Sequence, residues 1–72
     1  MSNDAAIQML AKLGFNRDES NMLLIAARKL DADIYILANL IYGAAALQGW
    51  TTADWSVENI CAEYECCNKE YA

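Results

Sequence analysis

The chain has 72 residues, 57% of them apolar, and carries a formal net charge of −5 with no histidine. A chain of this length forms one domain and buries only ~60% of the surface that its unfolded form exposes. Residues 31–72 hold seven acidic side chains and one lysine, which excludes the lysine- and arginine-rich surface that nucleic-acid binding requires. We therefore expect a single acidic domain, residues 1–72, that does not bind DNA or RNA and leaves apolar surface exposed.

The first helix is predicted over about residues 4–13. Apolar residues recur every third position from Ile7 to Leu13, which places them on one side of a helix. Gly14 follows, and glycine favours the left-handed conformation that ends many helices. Phe15 is then placed to pack back against this helix end.

The second helix is predicted over about residues 17–30. Asn16 and Glu19 have the spacing of a capping box, in which each side chain binds the other residue's backbone N–H. Acidic side chains near the start and basic side chains near the end suit the helix dipole. Its apolar face is expected to contain Met22, Leu23, Ala26, Ala27 and Leu30.

The most apolar stretch of the chain is Ile34–Leu47, in which Asn39 is the only strongly polar residue. A helix that is apolar almost all round is normally buried. We therefore expect the third helix, about residues 33–48, to lie at the centre of the fold with the other helices covering it. Asp31 or Asp33 is expected to cap its start.

Only one arc of this third helix is predicted to tolerate water, and Leu40 lies outside that arc. The arc contains Tyr35, Ala38, Asn39, Tyr42 and Ala46. Gly43 is less favourable than alanine inside a helix by ~1 kcal/mol. It marks either a close helix crossing or a weak point of the helix.

The fourth helix is predicted over about residues 53–70, with Thr51, Thr52 or Ser56 as its cap. Apolar residues at alternating three- and four-residue steps form a narrow packing seam. This seam contains Val57, Ile60, Cys61, Tyr64, Cys67 and Tyr71, and acidic residues occupy the opposite side. Four helices with short connections predict an all-α fold, a small four-helix bundle around the central apolar helix.

The sequence offers no arrangement typical of catalysis or of cofactor binding. Acid–base catalysis needs a side chain that titrates near neutral pH, and the chain has no histidine. The three glycines are isolated from one another, so no phosphate-binding loop is predicted. We expect a protein that is not an enzyme and that needs neither cofactor nor metal.

The three cysteines lack the paired spacing of a zinc site. Cys61 and Cys67 are predicted to be small buried residues, whereas Cys66 faces outward and is available for oxidation or an interchain bridge. An odd number of cysteines close together is not a disulfide framework. The central apolar run is also shorter than the ~20 residues that span a bilayer, and the N-terminus lacks a signal-peptide pattern. We expect a cytoplasmic protein that does not bind membranes.

The candidate binding residues are aromatic or polar and lie on the third helix or in the segment that follows it. They are Tyr35, Asn39, Tyr42, Trp50 and Trp55. Aromatic side chains of this kind are enriched in protein–protein interfaces. The alternative is that the rings pack beneath the fourth helix and keep their polar atoms in water.

The stretch Ile7–Phe15, followed by Asn16–Glu19, resembles the opening of a ubiquitin-associated domain. In that family a short helix ends in a Met-Gly-Phe-type loop and two more helices follow. The resemblance covers about 35 residues and implies ubiquitin binding at the loop Leu13-Gly14-Phe15. The chain departs from the family in having leucine for methionine, a longer second helix and a third helix that continues further. An ordinary helix C-cap accounts for the same loop.

These patterns predict a non-catalytic protein that acts by binding another protein, as an inhibitor, adaptor or anti-activator. The reasons are the surplus apolar surface, the lack of catalytic residues and the uneven charge. An alternative is a homo-oligomer that associates through the Tyr35–Asn39–Tyr42 side or through the seam of the fourth helix. A ubiquitin-associated-like module is the other alternative.

Overall fold

The computed structural model describes the backbone of residues 3–71 and the side chains of residues 4–66, and within this part it contains four α-helices and no strand. The helices are α1 (Asn3–Lys12), α2 (Arg17–Leu30), α3 (Ile34–Gln48) and α4 (Val57–Tyr71). The predicted all-α four-helix bundle is therefore confirmed. The starts and ends of the first three helices agree with the sequence to within one residue.

Side-chain caps begin α2 and α3 where the sequence predicts them. The Glu19 backbone N–H donates to Asn16 Oδ1 at 2.7 Å, and the Asn16 N–H donates to Glu19 Oε1 at 2.8 Å. Asp33 caps α3, since its Oδ1 accepts from the N–H groups of Tyr35 at 2.8 Å and Ile36 at 3.2 Å. Each cap supplies acceptors for N–H groups that have no partner inside the helix.

A residue with positive φ ends each of the first three helices. Gly14 has φ 108° and Gly49 has φ 67°. After Gly14 the chain turns back, and the Phe15 N–H donates to the Leu10 carbonyl oxygen at 3.1 Å, as in a Schellman motif. The third such residue is Asp31, with φ 51°, so this aspartate ends α2 and does not cap α3.

The fourth helix begins four residues later than predicted, at Val57 rather than residue 53. The reason is a turn over Thr51–Asp54, in which the Asp54 carboxylate accepts from the Thr51 N–H at 2.8 Å and from its hydroxyl at 3.1 Å. Ser56 is the cap, since its Oγ accepts from the Asn59 N–H at 3.0 Å. The prediction that the helix starts near residue 53 is therefore wrong.

The helix at the centre of the bundle is α2, because it packs against each of the other three helices. The main neighbours of α3 are α2 and α4. The core residues come from all four helices and from the first turn. They are Leu10, Phe15, Leu23, Ala26, Ala27, Leu37, Ala38, Ile41 and Ile60. The expectation that α3 is the central helix is wrong, because two neighbours cannot cover its whole circumference.

One side of α3 is consequently exposed although nearly all of its residues are apolar. Ile36 is 60% exposed and Leu47 is 91% exposed, and both were expected to be buried. Ala38 is fully buried, although it was placed in the arc that tolerates water. Leu40 is half-buried. The predicted surplus of exposed apolar surface is present, and much of it lies on α3.

Candidate protein-binding surface

Four aromatic rings form a continuous cluster around Phe15. The ring of Phe15 meets Tyr42 at a centroid distance of 5.9 Å and Trp55 at 5.8 Å, both edge to face. Trp50 meets Trp55 at 5.3 Å, again edge to face. Phe15 itself is buried, whereas Tyr42 is 57% exposed. Edge-to-face pairs at these distances are favourable beyond the area they bury, so the cluster holds each ring in a defined orientation.

Local backbone features bring these rings together from distant parts of the chain. The turn at Gly14 directs Phe15 back onto the bundle, and Trp50 follows the left-handed residue that ends α3. The Gln48 side chain holds Trp50 in place, since its Oε1 accepts from Trp50 Nε1 at 3.2 Å. Gln48 Nε2 also donates to Glu63 Oε1 at 2.7 Å, which ties this corner to α4.

A small open depression lies beside the cluster, between the end of α1 and the side of α3. It is lined by Leu13, Phe15, Ala38, Asn39 and Tyr42, with a volume of about 190 Å³. Its buried members form the base, and the exposed side chains of Leu13, Asn39 and Tyr42 form the rim. Small-molecule sites typically have volumes of ~300–1,000 Å³, so this depression suits a single inserted side chain better than a cofactor.

Tyr42 also borders a second, shallower depression on the side of the two tryptophans. Gly14, Trp50 and Trp55 line it, together with Phe15, Glu19 and two alanines of α3. The ring of Tyr42 stands between the two depressions, 3.8 Å from the position that a Cβ at Gly14 would take. We call this region the aromatic surface, defined as Leu13, Gly14, Asn39, Tyr42, Trp50 and Trp55.

The structure brings together four of the five residues predicted as binding residues. Asn39, Tyr42, Trp50 and Trp55 belong to the aromatic surface. Tyr35 is 44% exposed and lies on the same side of α3, but it is not among the residues that line either depression. Trp50 and Trp55 are half-buried and pack against the core, as the alternative of packed rings predicts, and their part in an interface stays a prediction.

Leu13 and Gly14 of the aromatic surface, and Phe15 beneath it, were absent from the main set of predicted binding residues and entered only through the ubiquitin-associated resemblance. Their only sequence signal was the loop Leu13-Gly14-Phe15. The turn at Gly14 exposes Leu13 and buries Phe15, and this opposite placement of two neighbouring apolar residues depends on the packing of α3 and Trp55.

The seam of α4 is occupied within the chain. Ile60 is fully buried, and Val57, Cys61 and Tyr64 pack against the core. The predicted burial of Cys61 is confirmed in part, since it is half-buried, and Cys66 is exposed as expected. The side chains of Cys67 and Tyr71 lie outside the described residues. The described part of this seam is therefore largely engaged in packing within the chain.

Among the described residues, no group of three or more histidine, cysteine, aspartate or glutamate side chains is placed to hold a metal ion. Within the same part of the chain, each helix is too short or too polar to cross a bilayer. Comparison with protein-family models, with curated proteins and with solved structures gives no match for this chain.

Proposed function

We propose that this chain acts without catalysis, by binding another protein through the aromatic surface. The observation that carries the proposal is the exposed ring of Tyr42, which stands on the buried ring of Phe15 beside the exposed side chain of Leu13. The centres of protein interfaces are enriched in tyrosine and tryptophan and depleted of charge. The residues that line the first depression include no charged side chain.

The rigidity of the cluster supports the same function. Binding usually costs the freedom of side chains that become ordered at the interface. Tyr42, Trp50 and Trp55 are already held by ring contacts and by the Gln48 hydrogen bond. A partner therefore meets aromatic groups whose orientation is fixed before binding.

The partner that fits this surface is a protein that inserts one apolar or aromatic side chain and carries positive charge around it. The depression is open and apolar at its base. The chain has a net charge of −5, and the attraction between this charge and a basic protein accelerates association. Added salt screens that attraction. A protein of this kind acts as an inhibitor, adaptor or anti-activator, in the cytoplasm, by occupying its partner's surface.

The test is affinity capture from the native cell with quantitative mass spectrometry, comparing the wild type with Leu13→Asp and Tyr42→Ala. Tyr35→Ala is the matched control, since it removes another exposed tyrosine of α3 that lies outside the two depressions. Truncation of an interface hot spot costs about 2 kcal/mol, roughly thirtyfold in Kd. We expect the partner to be lost with Leu13→Asp and Tyr42→Ala and retained with Tyr35→Ala.

Calorimetry with the purified partner then measures how far each substitution raises Kd and how Kd depends on salt. Circular dichroism verifies that each variant is folded. Equal binding by the wild type, Leu13→Asp and Tyr42→Ala would contradict the proposal. So would a Tyr35→Ala variant that is impaired as severely as Tyr42→Ala.

Ubiquitin is a second candidate partner, because Leu13 and Gly14 are exposed at the loop to which the ubiquitin-associated resemblance points. Phe15 of the same loop is buried, so only two of the three residues can touch a ligand without rearrangement. Titration of the isotope-labelled protein with ubiquitin should shift the amide signals of Leu13–Phe15 if this candidate is right. An unchanged spectrum removes it.

A further inference from the structure

An apolar stripe runs along α3, exposed at its two ends and half-buried at its middle positions, Leu40 and Gly43, and we call it the α3 seam. It contains Ile36, Leu40, Gly43 and Leu47, spaced four, three and four residues apart, which is the spacing of a coiled-coil seam. Ile36 and Leu47 are 60% and 91% exposed. Among the described residues, and apart from the adjoining residues and nearby backbone of α3 itself, no heavy atom lies within 4 Å of the position that a Cβ at Gly43 would take. No residue of α3 is charged.

The α3 seam is separate from the aromatic surface. At 3.6 residues per turn, the centre of the seam lies roughly 120° around the helix from Tyr42. The two surfaces face different directions, so one can be occupied while the other remains open.

We propose that two copies of this chain associate by packing their α3 seams antiparallel to each other. The spacing of four, three and four reads the same in both directions along the helix. An antiparallel pair therefore matches every seam residue with a seam residue of the other copy. In this register Ile36 faces Leu47 of the second copy, and Leu40 faces Gly43 of the second copy.

The glycine supports this register because it provides the space that Leu40 of the other copy needs. Within the part of the chain that the structure describes, no contact requires a glycine at position 43, although glycine is unfavourable inside a helix. In the antiparallel pair, each Gly43 lies opposite Leu40 of the other copy, so both gaps are filled by a large side chain. Parallel pairing would place the two glycines opposite each other and leave a void, which packed interfaces avoid.

The absence of charge on α3 allows a second copy to approach this face, and the position of Asp33 favours the antiparallel pair. Each copy carries −5, so faces with acidic residues repel, whereas α3 brings no charge to the contact. In the antiparallel register the two Asp33 residues lie roughly 25 Å apart along the axis, beyond the Debye length of ~8 Å at physiological salt. A parallel pair would place these carboxylates side by side.

The size of the surface is also appropriate. A stable interface buries about 800 Å² per partner, which is about one sixth of the 4821 Å² that this chain exposes. An interface of this size therefore needs the outer side of α3 together with the residues that flank it. The seam itself extends over about 16 Å of helix.

The first test is sedimentation equilibrium of purified full-length protein from low to high micromolar concentration. We expect the wild type to be a dimer and Ile36→Lys to raise the dimer Kd at least a hundredfold. Ile25→Lys is the matched control, because Ile25 is a 46% exposed isoleucine on α2, outside the seam. It should dimerise like the wild type, and circular dichroism should show all variants folded.

The second test is a charge swap that reports the register. Ile36→Lys and Leu47→Glu should each disrupt the dimer. The double variant should have a dimer Kd at least tenfold lower than either single variant, because lysine then faces glutamate of the other copy. In a parallel pair the double variant would place like charges together and would not recover.

Three results would overturn the proposal. They are a wild type that stays monomeric at high micromolar concentration, an Ile25→Lys variant as defective as Ile36→Lys, and a double variant that does not recover. Dimer formation is measured with this chain alone, so its failure is distinguishable from failure to bind another protein through the aromatic surface.

Discussion

Asp31 is the one described residue other than glycine that has a positive φ, at 51°. L-residues in this conformation lose roughly 1–2 kcal/mol to contact between Cβ and the backbone. Its carboxylate also lies at the C-terminal end of α2, where the helix dipole disfavours negative charge. Gly14 and Gly49 occupy the equivalent positions in α1 and α3 without this steric cost.

We therefore expect Asp31→Gly to stabilise the protein by about 1 kcal/mol. The control is Asp33→Ala, two residues further along, which removes the cap that accepts from the Tyr35 and Ile36 N–H groups. This variant should lose about 1 kcal/mol. Urea unfolding monitored by circular dichroism measures both changes, and loss of stability in Asp31→Gly would show that the aspartate carboxylate makes a compensating interaction.

Residue-scale features were predictable where they depend on neighbours in sequence. The Asn16–Glu19 capping box and the glycine turn at Gly14 need only a few consecutive residues, and both are present. Asp31 and Asp33 could not be told apart, since either offers a suitable oxygen. Likewise, three candidate caps preceded α4, and the choice of Ser56 depends on the turn that Asp54 closes.

At the scale of elements, composition predicted the existence of α3 but misplaced it in the bundle. An apolar sequence indicates that burying the helix is favourable. It does not indicate whether enough neighbouring helices are available to cover it. Here α1 packs on α2, so α3 is covered chiefly by α2 and α4. The side left open contains Ile36, Gly43 and Leu47.

The same substitution at two isoleucines of α3 should separate its buried side from its open side. Ile41 lies in the core and is 0% exposed to solvent. Ile41→Lys would therefore bury an unpaired charge at a cost of several kcal/mol. A chain of this length has roughly 4–11 kcal/mol of stability, so this variant should be largely unfolded. Ile36→Lys should remain folded, within about 0.5 kcal/mol in the monomeric state.

Thermal unfolding followed by circular dichroism at low micromolar concentration distinguishes the two variants. Leu40 was also predicted to lie outside the arc that tolerates water, but it is only half-buried, so a charge should cost less there than at the fully buried Ile41. A cooperative transition in Ile41→Lys similar to that of the wild type would contradict the packing of α3 described above.

At the scale of the whole molecule, the sequence predicted most residues of the aromatic surface but not the buried ring of Phe15 that connects them. Tyr42, Trp50 and Trp55 lie within 14 residues of one another, so their proximity could be inferred from the helix and the short loop that contain them. Phe15 comes from the other half of the chain, and its place between Tyr42 and Trp55 depends on how α1 and α2 pack. Long-range contacts of this kind leave no local pattern.

A small domain with exposed isoleucine and leucine side chains should gain much of its stability from association. Whatever binds the folded state and not the unfolded chain stabilises it by mass action. If the α3 seams pair, the unfolding midpoint of the wild type should rise by several degrees for each tenfold increase in protein concentration, because dimer formation removes Ile36 and Leu47 from water.

Ile36→Lys should unfold at a midpoint independent of concentration, and Ile25→Lys should follow the wild type. Differential scanning calorimetry over a hundredfold range of concentration provides the comparison. A wild-type midpoint that does not change over this range would mean that the monomer is stable with its apolar stripe in water, and that burial of the remaining core is sufficient by itself.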